Sequence, residues 1–117
     1  MRTCLTDEEK RRLYELGFHN TDGSEVSTLD ELLELIPKEI EVYRYRPEDR
    51  WEGMSQSTYC INLEINYAFD EWIVGYGDAS FDKPDCVLVF VHRELIRGLY
   101  LLVESYMTAP KEWVCKD

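Results

Sequence analysis

A chain of 117 residues with 44% apolar content, eight tyrosines and three tryptophans reads as one folded domain, residues 1–117, rather than a disordered segment. Its net charge of −11, from 24 acids against 13 bases, argues against direct nucleic-acid binding, because the phosphate backbone would be repelled. The longest apolar run, Cys86 to Val91, is far short of the ~20 residues that span a bilayer. Met1-Arg2 leads into Asp7-Glu8-Glu9 without the apolar core of a secretory signal, so the expected location is the cytoplasm.

Thr6-Asp7-Glu8-Glu9 has the pattern of a capping box and opens a first helix, with acids in its first turn and Lys10, Arg11 and Arg12 behind them. Gly17 is placed to end it in a left-handed residue, with Phe18 folding back on Leu13. Leu13 and Leu16 give this helix a thin apolar stripe, which predicts a peripheral position. After a turn-rich loop from Asn20 to Ser27, Thr28 and Glu31 form a second capping box. Leu29, Leu32, Leu33 and Ile36 share one face of that helix; Asp30, Glu31 and Glu34 take the other, and Pro37 stops it.

Ile40 to Arg46 predicts a first strand, followed by a polar loop from Arg46 to Ser57 that holds a lone Trp51. The centre of the domain is Tyr59 to Tyr67. Tyr59, Ile61, Leu63, Ile65 and Tyr67 alternate with Cys60, Asn62, Glu64 and Asn66, the period of two that buries one pleated face. A turn near Asp70-Glu71 leads to a strand over Trp72–Tyr76, and a loop from Gly77 to Asp85 leads to a nearly all-apolar strand over Cys86–Val91. That last composition predicts burial on both faces or an inner position. A helix over Arg93–Met107 has the widest stripe in the chain: Leu95, Ile96, Leu99, Leu102, Val103 and Tyr106. Gly98 inside it implies a close approach to the sheet or another helix. Residues 108–117 read as a tail carrying Trp113. The fold class is α+β, an antiparallel four-stranded sheet with helices packed on one face, in the order α-α-β-β-β-β-α.

Two segments resemble a family of small uncharacterised proteins from Bacteroides-type gut bacteria, their phages and mobile elements. Ser27 to Ile40 resembles its "TL-x-ELLE-x-LP-x-x-I" segment, and Glu94 to Tyr100 resembles its "ELIDALY" segment. Leu5 to Glu9 and Leu16-Gly17-Phe18 are similar to its "LTPEQ...LGF" opening. The chain departs from the family at Arg97-Gly98, where an acid and Ala are usual, and in the longer loop from Arg46 to Ser57. The resemblance implies a fold and a phage or mobile-element setting; it carries no catalytic motif and therefore no activity.

The chemistry-bearing residues are sparse. Four cysteines, Cys4, Cys60, Cys86 and Cys115, form no C-x-x-C pair and read as free thiols, with a Cys4–Cys115 disulfide left open. A Cys–His nucleophile would need His19 or His92 beside Cys60 or Cys86. The short Cys/His spacings of a zinc site are absent. Asp78, Asp82 and Asp85 crowd one loop without the ligand alternation of a calcium loop. No Walker loop, G-x-G-x-x-G or G-x-S-x-G occurs. Tyr43-Arg44-Tyr45-Arg46 with Arg50-Trp51 is the basic-aromatic cluster, neutralised by Glu41, Glu48, Asp49 and Glu52.

These observations lead to a non-enzymatic protein without catalytic residues, metal or cofactor, acting by binding another protein. Residues 13–37 and 51–82 contain acids and no Lys or Arg, so the acidic surface is suited to imitating DNA and occupying a nucleic-acid-binding or defence protein. Asp30, Glu31, Glu34, Tyr45 and Trp51 are the expected partner-binding residues. The alternatives are an enzyme with a fold-assembled Cys/His or acidic-loop site, and a plain homodimer through the last helix or the Trp113 tail.

Overall fold

The computed structural model describes the backbone of residues 2–45, 54–78, 85–109 and 114–115, and the side chains of 2–42, 58–77 and 88–109. Three helices, α1 (Asp7–Glu15), α2 (Leu29–Leu35) and α3 (Leu95–Thr108), accompany the strands β1 (Glu39–Tyr45), β2 (Met54–Asn66), β3 (Glu71–Asp78), β4 (Asp85–His92) and β5 (Val114–Cys115). The elements follow one another along the chain as expected; the four long strands form an antiparallel sheet, connected as a meander, and the helices pack on one face of it. The two-residue β5, within the stretch expected as a tail, pairs with the outer side of β1 and completes the order β4-β3-β2-β1-β5.

Local signals account for the first two helices. Thr6 Oγ1 accepts the Glu9 backbone N–H at 3.1 Å, and Glu9 Oε1 accepts that of Thr6 at 2.9 Å. At the other end Gly17 (φ 88°) donates to the Tyr14 carbonyl and Phe18 to that of Leu13, the two bonds of a Schellman ending. Leu13 and Phe18 both sit in the core, while Leu13 and Glu9 are the buried residues of α1, which lies at the periphery. The same reciprocal box joins Thr28 and Glu31 at the start of α2, and Ile36 is extended ahead of Pro37. Replacing Thr28 by Ala should cost about 1 kcal/mol of unfolding free energy, measured by urea titration; an unchanged midpoint would show that the cap contributes nothing. The segment before α1 is tied to the segment before α2: Leu5 N–H donates to Ser27 O and Leu29 N–H to Thr3 O, each at 2.8 Å.

The core lies between α3 and the covered face of the sheet. Ile40 and Val42 of β1, Tyr59 of β2, and Val74 and Tyr76 of β3 meet Leu95, Ile96, Leu99, Leu102 and Val103 of α3. Gly98 explains how closely α3 approaches: a Cβ there would stand 3.3 Å from Val74 Cγ2. Tyr76 is buried with its hydroxyl donating to the Pro37 carbonyl at 2.7 Å, and burial raises its pKa.

Two features differ from the expectation. β2 begins at Met54 rather than Tyr59, because Met54 to Thr58 pair with Glu41 to Tyr45 through backbone groups that need no apolar alternation. β4 is an edge strand rather than an inner one, with Val89 and Val91 exposed on the uncovered face. An apolar run does not distinguish an inner strand from the last strand of a meander. β4 also carries a bulge: Val74 pairs with Phe90 but Tyr76 with Val87, so Leu88 (φ 55°) and Val89 together oppose Gly75. A Cβ on Gly75 would come within 3.1 Å of Val89 Cγ2 and 3.2 Å of Val89 Cα. Glycine is what lets the bulge close against β3.

Candidate functional site

A concavity of about 760 Å³ lies between α1 and the start of α3. At its floor is Glu9, whose side chain both closes the α1 cap and accepts from two arginines. Arg2 Nη1 approaches Oε1 at 2.8 Å and Arg97 Nη1 approaches Oε2 at 2.7 Å. Arg2 also donates from Nε to Glu94 Oε2 at 2.6 Å. Burial works to raise the Glu9 pKa, but hydrogen bonds from Arg2, the Thr6 backbone and Arg97 outweigh it and hold the carboxyl at about 2. Nearer the rim, the Tyr100 hydroxyl donates to Glu104 Oε2 at 2.7 Å and its ring lies under Arg97, 4.9 Å from the guanidinium carbon. Burial, followed by the hydrogen bond to Glu104, raises the Tyr100 pKa to about 12.

These groups neutralise one another. Glu9 joins Arg2 and Arg97, Glu94 joins Arg2, and Glu104 joins Arg12 at 3.3 Å. His92, on the cleft wall, accepts the Glu94 backbone N–H at Nδ1, 2.9 Å away, which occupies that lone pair. The cleft is therefore an electrostatic clasp that holds the N-terminal segment and α1 on α3.

The uncovered face of the sheet is different in kind. Register places Glu39 and Glu41 of β1, Thr58, Cys60, Asn62 and Glu64 of β2, Glu71 and Ile73 of β3, and Val89 and Val91 of β4 on it. Among its described residues there is no Lys or Arg. Glu39 and Glu64 are exposed, and Val89 (47% exposed) and Val91 (53%) supply an apolar margin at the β4 side. At one end the β2–β3 turn presents Tyr67 (84% exposed) and Phe69 (67%) to solvent. Leu63 is exposed as well, although its alternation put it on the buried face.

The expected partner-binding residues are distributed unequally. Asp30 and Glu34 are exposed on α2. Glu31 is occupied locally: its Oε1 takes the Thr28 and Ser27 hydroxyls, and its Oε2 takes Asn20 Nδ2 at 2.5 Å. The Asn20 bond, then that from Thr28, lowers its pKa. Tyr45 ends β1 opposite Met54, with its side chain outside the described residues, as is Trp51 altogether. Asp82 and most of the acidic loop also fall outside them. Cys60 is a free, exposed thiol on the uncovered face, whereas His92 lies on the covered one, so the two do not form a pair. Among the described residues no three His, Cys, Asp or Glu side chains gather as a metal site, and no helix is long and apolar enough to cross a membrane.

Alternation predicts a buried face for Tyr67, and the apolar run predicts burial for Val89 and Val91, yet all three are exposed, as is Phe69. One signal was present: Phe69 lies in a turn between two strands, where an aromatic ring finds no pleated face to join. Comparison with known proteins adds no assignment, since no family model, curated protein or solved structure matches this chain.

Proposed function

We propose that this is a non-enzymatic cytoplasmic protein of phage or mobile-element type that acts by binding a basic, nucleic-acid-binding protein. The observation that supports the reading is the base-free sheet face, with Glu39, Glu41, Glu64 and Glu71 spread over three adjacent strands. Neighbouring strands lie about 4.8 Å apart, so these carboxylates form a lattice of negative charge on a rigid support. Such a surface attracts a cationic groove over several ångströms and competes with phosphates for it. Asp30 and Glu34 on α2 add a second acidic patch, and the exposed turn aromatics supply the ring type enriched at interface centres.

The test is affinity capture from a host-like lysate, with and without nuclease, using three forms of the chain: natural, Asp30→Lys/Glu34→Lys, and Glu39→Lys/Glu64→Lys. The expected result is one dominant nucleic-acid-binding protein, retained after nuclease treatment and weakened at least tenfold by one or both reversals. Capture that neither reversal alters, or no captured partner, would overturn the reading.

A further inference from the structure

The two margins of the sheet are treated differently. On one side β5 pairs with β1 and covers part of its edge. On the other, β4 ends the sheet, and among the described residues nothing pairs with its outer edge. Edge strands of monomers are commonly guarded by inward or flanking charges, because their free N–H and C=O groups accept any strand that fits. Between Leu88 and Val91 β4 carries no guarding charge, only the bulge at Leu88 and Val89: Leu88-Val89-Phe90-Val91 is wholly apolar, and two of its four side chains are about half exposed.

We propose that β4 pairs antiparallel with β4 of a second copy, joining two sheets into one. The strand is self-complementary in one register. With the two-fold axis at Phe90, Val89 lies opposite the second copy's Val91 on the uncovered face. Phe90 lies opposite its own equivalent on the helix-covered face. Each pair joins residues on the same side of the sheet, as an antiparallel ladder requires. The bulge, with Leu88 in the left-handed region, ends the regular stretch and limits the ladder to about three residues, Val89 to Val91.

Charge favours this approach over a face-to-face one. Stacking two uncovered faces would set glutamate against glutamate. Edge to edge, the nearest acid on that face, Glu71 of β3, is separated from its equivalent by two β4 strands. That puts the two carboxylates about 14 Å apart across the strands and further apart along them, beyond the screening length of about 8–10 Å at ordinary salt. So short a ladder buries less than the ~800 Å² per partner of a standard interface, and the dimer is correspondingly weak and concentration-dependent. The pairing would widen the acidic face without covering it, and it stands whatever that face binds.

Sedimentation equilibrium from about 10 µM to about 1 mM, the range in which an interface this small associates, tests it. The expected result is a shift from one to two chain masses, with amide-exchange protection at residues 89–91 rising with concentration. In Val89→Glu/Val91→Glu, association should weaken at least tenfold with the circular dichroism spectrum unchanged. A natural chain that stays monomeric at 1 mM, or a dimer without added protection at 89–91, would overturn the proposal even if the double variant folds poorly.

Discussion

Glu9→Gln lowers the unfolding free energy by about 3 kcal/mol at neutral pH and flattens the acid side of the stability curve. The magnitude follows from holding a carboxyl at about 2 in the folded chain against 4.5 in the unfolded one. The sign follows from the same shift. A carboxyl with a depressed folded-state pKa contributes fully above its unfolded value and loses that contribution as pH falls through the folded one. The window is therefore from about pH 4.5 down to about 2. Glu9 is 3% exposed and bonded to Arg2, Arg97 and the Thr6 N–H at once, so water replaces none of these partners cheaply. The glutamine side chain keeps an acceptor for Thr6 and isolates the loss of charge. Urea titrations of both forms between pH 7 and pH 2 decide the matter. Their stabilities should converge as pH falls; parallel curves would mean that the clasp does not hold Glu9 ionised.

Gly98→Leu should cost about 3 kcal/mol, whereas Gly98→Ala should change stability by less than about 1 kcal/mol. The alanine methyl would stand 3.3 Å from Val74 Cγ2, a contact that small side-chain adjustment can relieve. Its strain is set against a gain of about 1 kcal/mol in helix propensity. A leucine adds three more carbons in a direction already filled by Val74, so α3 must lift from β3 and uncover Leu99 and Leu102, both fully buried. Thermal or urea unfolding of the pair reads the difference. If leucine proved as harmless as alanine, the approach of α3 to the sheet would be looser than the structure has it.

The sequence revealed those parts of the fold whose causes are local. Thr6 with Glu9 and Thr28 with Glu31 are three residues apart, and Gly17-Phe18 needs only Leu13 and Tyr14 to end its helix. The strand from Tyr59 and the stripe from Leu95 to Val103 declare themselves by period. For the candidate surface, the acidity of 51–82 was visible, and the register gathered Glu64 and Glu71 onto one face with Glu39 and Glu41 of β1. Glu31 was legible as a capping residue and equally as a surface acid; the bonds from Asn20, Ser27 and Thr28 show that its carboxylate serves the local structure.

By itself, then, the sequence determined the helices, the strands and their order along the chain, because caps, turns and periodicity act over a few residues of chain, while the order of the strands within the sheet came from the tertiary structure. Tertiary structure decided which strand became the edge, which apolar side chains stayed in water and which arginines Glu9 would meet. Arg97 lies 88 residues from Glu9, and Glu94 lies 92 residues from Arg2. No local pattern encodes such a pairing, since it exists only once α1 and α3 have docked and the low-dielectric space between them makes each charge require the other.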